Sequence, residues 1–168
     1  MSESNPYRVF VSHVFEETFD YLRVFEFLES DDRFYYLNRS KPENLPETGG
    51  LDAMKDELIE QIKEAEVVVV LAAVAESQPD LVRFMLDVAD ANKIGVVAMK
   101  HIGGLGEIPA AVAERAKEVV EWNEREMVDA IKRAGRGEDT KRWEVIDFPG
   151  IEELMKDDND EKDDEEKQ

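Results

Sequence analysis

One uninterrupted apolar stretch, residues 67–74, constrains the fold more than any other part of this sequence. It contains five valines, one leucine and two alanines, and it carries no charge. A bilayer-spanning helix needs about 20 apolar residues, so the stretch is too short to cross a membrane. A β-branched run without polar alternation is typical of a strand that is buried on both faces, as in the middle of a parallel sheet. We therefore predict a central strand over residues 67–74, followed by a helix over residues 80–92.

The rest of the sequence alternates between strand patterns and helix patterns. Strands are predicted at residues 7–12, 33–37, 94–99 and 117–122. Helices are predicted at residues 18–30, 51–65, 110–116 and 124–134. Such alternation favours βαβ units, whose right-handed crossovers place helices on both faces of a parallel sheet. The sequence therefore predicts an α/β, three-layer, flavodoxin-like fold with five parallel strands in the order 2-1-3-4-5.

Composition limits the extent of the domain and the partners it can have. The chain has 168 residues, which fits one domain, and we predict that domain over residues 1–155. Within it, residues 143–148 are a candidate edge segment and residues 151–155 a candidate helical turn. Residues 156–168 hold eight acidic residues and three lysines, and we predict a disordered acidic tail there. The formal net charge of −20 disfavours nucleic acid and anionic membranes as partners.

Two absences narrow the chemistry further. The sequence contains no cysteine, which excludes disulfides, thiolate catalysis and cysteine-based metal sites. Its two histidines have neither HxH nor HxxxH spacing, so no metal site is expected. Residues 1–5 lack the basic and apolar regions of a secretory signal, so a cytoplasmic location is expected.

Candidate site residues lie where the predicted strands end. Ser12 and His13 end the first strand, and His101 follows the fourth. In the predicted strand order the loops after the first and third strands lie side by side, at the place where ligands bind in open α/β sheets. A histidine at this edge can act as an acid, a base or a ligand, or it can be an ordinary loop residue.

The long loop after the second predicted strand contains a basic spot in an otherwise acidic chain. Arg39 and Lys41 flank Ser40 there. Such a spot can hold a phosphate or a carboxylate, or it can simply balance the nearby glutamates. The glycine-rich residues 100–106 lack GxGxxG spacing and do not run into a capped helix, so a phosphate-binding loop is not expected there.

Several short motifs, taken in order, resemble those of TIR-like domains. They lie at residues 8–12, 34–40, 59–74, 93–97 and 120–123. The first resembles the opening strand of that family, the second its second strand and loop, and the third its helix and buried strand. The fourth resembles the entry to its fourth strand, and Trp122-Asn123 before a helix resembles the Thoeris-type branch. The resemblance covers about residues 7–134.

The resemblance implies a flavodoxin-like fold and a role in signalling. TIR-like domains associate with one another, cleave NAD or make a cyclic ADP-ribose-type signal, and Thoeris-type members are bacterial or archaeal antiphage sensors. The NAD-cleaving members carry a glutamate on the helix after the buried strand. Counting back from Ala89 and from Lys93 places Met85 at that position, and methionine cannot stabilise a developing ribosyl cation. Asp80 starts the same helix, where it would either enter the crevice or cap the helix.

The resemblance leads to one expectation and two alternatives. We expect a TIR-like signalling or interaction domain of a prokaryotic stress or antiphage defence pathway, with the usual catalysis lost or altered. Its partner would be a second copy, or another TIR or effector protein. One alternative is an active NAD-cleaving or cyclic ADP-ribose-producing enzyme that uses another carboxylate, with Asp80 and His13 as candidates. The other is a flavodoxin-like regulatory domain that binds no nucleotide. A bound NAD or related nucleotide would contact Ser12, His13, Arg39, Ser40 and His101.

Overall fold

The structure is a computed structural model that describes residues 3–104 and 106–140. Contacts divide the chain into two compact units, and every strand and helix named below lies in the first, Met1–Glu138. The predictions for residues 143–148, 151–155 and 156–168, and the predicted domain boundary at residue 155, lie outside the described residues.

The described part of the chain contains five strands and six α-helices. The strands are β1 (Tyr7–Val11), β2 (Tyr36–Asn38), β3 (Val67–Leu71), β4 (Gly95–Met99) and β5 (Glu118–Val120). The helices are α1 (Phe19–Glu29), α2 (Gly50–Lys63), α3 (Ala72–Ser77), α4 (Pro79–Ala91), α5 (Ala110–Arg115) and α6 (Glu124–Arg136). None of the helices in the described ranges has the length and apolar character that a bilayer crossing requires.

The strands form one sheet in which all neighbours pair in parallel, in the order β2-β1-β3-β4-β5. Helix α1 packs against α6 on one face, and α4 packs against α2 and α5 on the other. The predicted flavodoxin-like α/β fold is therefore confirmed. Its switch point lies between β1 and β3, where the connections reverse their direction across the sheet.

The central strand β3 is shorter than the sequence pattern predicts. All five of its residues are buried, as expected for a strand that is covered on both faces. The prediction over residues 67–74 is wrong at its end, because residues 72–77 form helix α3. The Oγ of Ser12 accepts a hydrogen bond from the Leu71 N–H at 3.0 Å, which closes the β1 side of the strand. The alanine-rich residues that follow have high helix propensity, so the chain turns into a helix at this edge.

Strand β2 lies later in the chain than predicted. The pattern places it at residues 33–37, whereas it spans Tyr36–Asn38. Asp31 explains the shift, because its side chain accepts the Arg33 N–H at 2.9 Å and its carbonyl accepts the Phe34 N–H at 3.1 Å. These bonds hold a turn where the strand was predicted to begin. The remaining strands and helices begin and end within one or two residues of their predicted bounds.

Helix α6 ends beside the start of β1. Gly135 lies against the sheet, and a Cβ there would come within 2.6 Å of a valine methyl of β3. Arg136 donates two hydrogen bonds of 2.9 Å to the Glu66 carboxylate and one to the carbonyl of Pro6. Its guanidinium carbon also lies 3.9 Å from the centre of the Tyr7 ring. Through these contacts, Arg136 links the end of α6 to the start of β1.

Candidate functional site

Ser12 ends β1 at the switch point and is fully buried. Its backbone N–H donates to the carbonyl of Val69 at 2.8 Å, and its Oγ accepts the N–H of Leu71 at 3.0 Å. Both bonds join β1 to β3. The serine that was predicted to contact a ligand therefore has a structural role at the edge of the sheet.

His13 follows Ser12 and is also buried, with its ring packed among Phe10, Phe15 and Tyr21. Its Nδ1 accepts the backbone N–H of Phe15 at 2.9 Å, so this nitrogen carries no proton. The proton must then be on Nε2, which donates to the Oε1 of Gln61 at 2.9 Å. These two bonds fix one neutral tautomer of the imidazole. Burial also favours the neutral imidazole, because it lowers the pKa of His13.

Gln61 is the residue that sequence reasoning missed. Its Oε1 also accepts the backbone N–H of Lys41 at 2.7 Å. Its Nε2 donates to the carbonyl of Lys41 at 3.1 Å and to Glu57 at 3.0 Å. One buried amide thus joins α2, the loop after β2 and His13. The available signal was its position on the buried stripe of α2, between Leu58 and Ile62.

Ser40 takes part in a second group of hydrogen bonds, in which Ser40 and Tyr21 are buried and Asn38 is exposed. Its Oγ and its backbone N–H both donate to the Oδ1 of Asn38, the latter at 2.9 Å. The Nδ2 of Asn38 donates to the Tyr21 hydroxyl at 3.1 Å, and that hydroxyl lies 3.0 Å from the Ser40 Oγ. Because the Ser40 hydroxyl proton goes to Asn38, Tyr21 is the donor in the last bond. Burial raises the pKa of Tyr21, which favours this protonated phenol.

These residues form what we call the switch-point network, which consists of Ser12, His13, Tyr21, Asn38, Ser40 and Gln61. Three predicted ligand residues do come together in it, as the strand order implies. Their polar atoms, however, bond to the protein's own backbone and side chains, and Ser12, His13 and Ser40 are all buried. A ligand could reach them only if the network opened.

Arg39 lies outside the switch-point network. One of its terminal nitrogens is 3.7 Å from the carboxylate of Glu64. Together with Lys41 and three glutamates it lines a small hollow of about 50 Å³. Sites for small molecules usually enclose about 300–1,000 Å³, so this hollow is too small to enclose a nucleotide.

His101 occupies a separate place on the carboxyl edge, after β4. Its Nε2 lies 2.8 Å from a carboxylate oxygen of Glu76, which is carried by α3. Its ring also lies against Gly106, where a Cβ would come within 3.4 Å of Cδ2. Gly106 also lines an open cavity of about 440 Å³, together with Lys100, Gly104, Glu107, Ile108, Ala110 and Ala113. No sequence pattern indicated Glu76, because its position depends on the unpredicted helix α3.

Asp80 and Met85, both on α4, do not face the switch point. The Asp80 side chain is 93% exposed and pairs with Arg83 at 3.2 Å, one turn along the helix. Asp80 is also not the N-cap, since Pro79 occupies the first helical position and the cap therefore falls at Gln78. Met85 is fully buried in the core.

We expect acid to destabilise the protein through His13. Burial lowers the pKa of this imidazole in the folded state, and this effect exceeds the opposing influence of Gln61, Glu43 and Glu57. Below the unfolded pKa of about 6.5, the unfolded chain therefore binds a proton that the folded chain does not. The contribution of His13 to stability is present above about pH 6.5 and is lost as the pH falls through the folded pKa.

Urea unfolding at about pH 7.5 and about pH 5.5 measures this loss. The variant His13→Gln keeps a donor toward Gln61 but does not titrate, so its stability should change less between the two pH values. The matched variant His101→Gln should keep the full decrease. An equal decrease in wild type and His13→Gln would show that other groups cause it.

The comparisons with known proteins add no relative to this picture. No protein-family model matches the chain, and no curated protein matches it significantly. Within residues 3–104 and 106–140, no group of three or more histidine, aspartate or glutamate side chains could hold a metal ion. The fold is thus established by its topology, and the resemblance to TIR-like domains stays a prediction.

Proposed function

We propose that this chain is a TIR-like signalling or interaction domain of a prokaryotic stress or antiphage defence pathway, in which NAD cleavage is lost or altered. The observation that carries the proposal is Met85. Where the resemblance places the catalytic glutamate, this chain has an apolar side chain that is fully buried. Neither its chemistry nor its position allows it to stabilise charge on a substrate.

The surroundings of Met85 support the loss of this chemistry. The neighbouring α4 residues Leu81, Val82, Leu86 and Ala89 are also buried and apolar. An ionised glutamate among them would be without water and without a partner, which costs several kcal/mol. Restoring the glutamate alone would therefore not restore an active site.

The state of the switch-point network also supports a role in interaction. Ser12, His13 and Ser40 are bonded internally and buried, so they do not offer free groups to NAD or a related nucleotide. Of the five predicted ligand residues, Arg39 and His101 remain partly accessible. A nucleotide would have to bind beside His101, in the cavity after β4, and not at the switch point.

One observation favours the alternative of an active enzyme that uses another carboxylate. Glu76 lies at the carboxyl edge, is half exposed and bonds to His101 at 2.8 Å. A carboxylate paired with an imidazole is a common arrangement in acid–base catalysis, although neither side chain lines the cavity of about 440 Å³ after β4. This makes Glu76 a better candidate than Asp80, which the sequence suggested.

An NAD-consumption assay on the purified chain tests the proposal, with and without lysate from phage-infected cells. We expect no turnover above background and no cyclic ADP-ribose-type product. The variants Glu76→Gln and Asp80→Asn form a matched pair, since both remove one carboxylate charge. Turnover that disappears in Glu76→Gln but persists in Asp80→Asn would overturn the proposal in favour of the enzyme.

A further inference from the structure

Helix α1 has two apolar faces, and only one of them is covered. Tyr21, Val24 and Leu28 point into the core. Phe19 and Leu22 point outward and are 68% and 45% exposed. A surface helix normally has one apolar stripe and one polar face. Phe19 and Leu22 therefore leave an apolar surface of α1 uncovered in the described part of the chain.

The outward apolar surface continues beyond Phe19 along one row of α1. The guanidinium carbon of Arg23 lies 5.8 Å from the centre of the Phe19 ring and 5.1 Å from the centre of the Phe27 ring. Phe27 in turn packs edge to face against Trp122, with 5.5 Å between ring centres. The indole N–H donates to the carbonyl of Lys100 at 2.7 Å, which fixes the orientation of the tryptophan.

A cavity of about 420 Å³ opens at the end of this row. It is lined by Arg23, Glu26, Phe27, Ser30, Trp122, Asn123 and Glu124. We call Phe19, Leu22, Arg23, Glu26, Phe27 and the adjoining cavity the α1 outer face. It combines exposed apolar side chains, two aromatic rings set at an angle and carboxylates at the rim.

The chemistry of the α1 outer face is suited to a cation. Arg23 already shows this, because its guanidinium stacks on Phe27 and pairs with Glu26 at 2.6 Å. Among the residues that line the cavity, Glu26 and Glu124 are acidic and Arg23 is basic. Aromatic rings beside carboxylates attract Arg and Lys side chains through both cation–π and ionic interactions.

We propose that the α1 outer face docks a cationic, amphipathic segment of a partner protein. Apolar side chains of that segment cover Phe19 and Leu22, and an Arg or Lys enters the cavity between Phe27 and Glu124. The inference rests on the proposed role as an interaction domain, and it specifies the chemistry of the partner. A second copy is disfavoured as the occupant, because each copy carries a formal charge of −20 and the surfaces would repel.

The test uses the full chain and a short helical peptide with leucine on one face and arginine on the other. Two matched peptides replace every arginine with glutamate, or every leucine with serine. Binding is measured by calorimetry at about 0.15 M salt, where weak long-range charge attraction is screened. Of the three peptides, we expect only the leucine–arginine peptide to bind well.

Two double variants distinguish the docking site from general charge attraction. Phe19→Ser with Leu22→Ser should weaken peptide binding about tenfold or more. Leu45→Ser with Leu51→Ser also removes two exposed apolar side chains, from another part of the surface, and should leave binding unchanged. All four positions are exposed, and circular dichroism confirms that the variants remain folded.

Besides absent peptide binding, two outcomes would overturn the docking site. One is equal peptide affinity in the two double variants, which would mean unspecific attraction to an acidic protein. The other is a wild-type dimer that only the Phe19/Leu22 variant loses, which would make a second copy the occupant. NAD turnover, measured on the same samples, tests the proposed function separately. If the peptide does not bind and no NAD turnover is seen, only the docking site is overturned and the proposed function stands.

Discussion

Replacing Arg136 with alanine is expected to lower the free energy of unfolding by about 3 kcal/mol. The reason is that Glu66, whose side chain is only 14% exposed, would keep its charge and lose its bidentate partner. The Arg136 guanidinium also holds the pKa of Glu66 below its ordinary value, against the effect of burial. The contact with the Tyr7 ring and the bond to Pro6 would be lost as well. Urea unfolding followed by circular dichroism measures the change.

Arg115 provides the matched control. It bonds the carboxylates of two residues, Asp87 and Asp90, but these side chains are 62% and 70% exposed. Water replaces such partners easily, so Arg115→Ala should cost no more than about 1 kcal/mol. Similar losses for Arg136→Ala and Arg115→Ala would contradict the structural role assigned to Arg136.

Replacing Gln61 with leucine is expected to cost a similar amount, about 3 kcal/mol. Leucine fills nearly the same volume, so the loss comes from hydrogen bonds and not from a cavity. The Nε2–H of His13 would lose its partner in the interior, and the part-buried bonds to both backbone polar groups of Lys41 would be lost as well. Faster hydrogen exchange at the Lys41 amide should accompany the lower stability.

Gln78→Leu is the control for this substitution. Gln78 is exposed and makes no side-chain capping bond, so its replacement should change stability by less than about 0.5 kcal/mol. If Gln61→Leu were as stable as Gln78→Leu, the switch-point network would not hold the loops together. The loop after β2 would then be free to open toward a ligand.

The strand order could be predicted from the sequence because it depends on coarse features. An uncharged valine run, the alternation of patterns and the handedness of crossovers leave few ways to arrange five parallel strands. The end of β3 could not be predicted in the same way. Residues 72–75 are apolar and small, so periodicity alone does not separate a buried strand from a buried helix. The ladder ends where the Ser12 hydroxyl takes the Leu71 N–H, which is a contact between distant parts of the chain.

The placement of Ser12 and His13 at the switch point was also predictable, but the hydrogen bonds of these residues were not. Strand ends place Ser12 and His13 at the switch point, and the core-facing position of Met85 follows from helical spacing. Whether a polar group is free or bonded depends on partners far away in sequence. His13 forms a hydrogen bond with Gln61, and His101 forms one with Glu76. No local pattern encodes either pair.

The contacts of Arg136 also determine where the two ends of the first unit lie. Arg136 bonds the carbonyls of Asn5 and Pro6, and the Tyr7 hydroxyl donates to Glu138. Residues 5–7 and residues 136–138 are thus neighbours in space. Adjacent ends are the geometry that permits circular permutation and insertion into a host loop. A segment with this geometry can be inserted into a loop of another protein without separating the two points between which it is inserted.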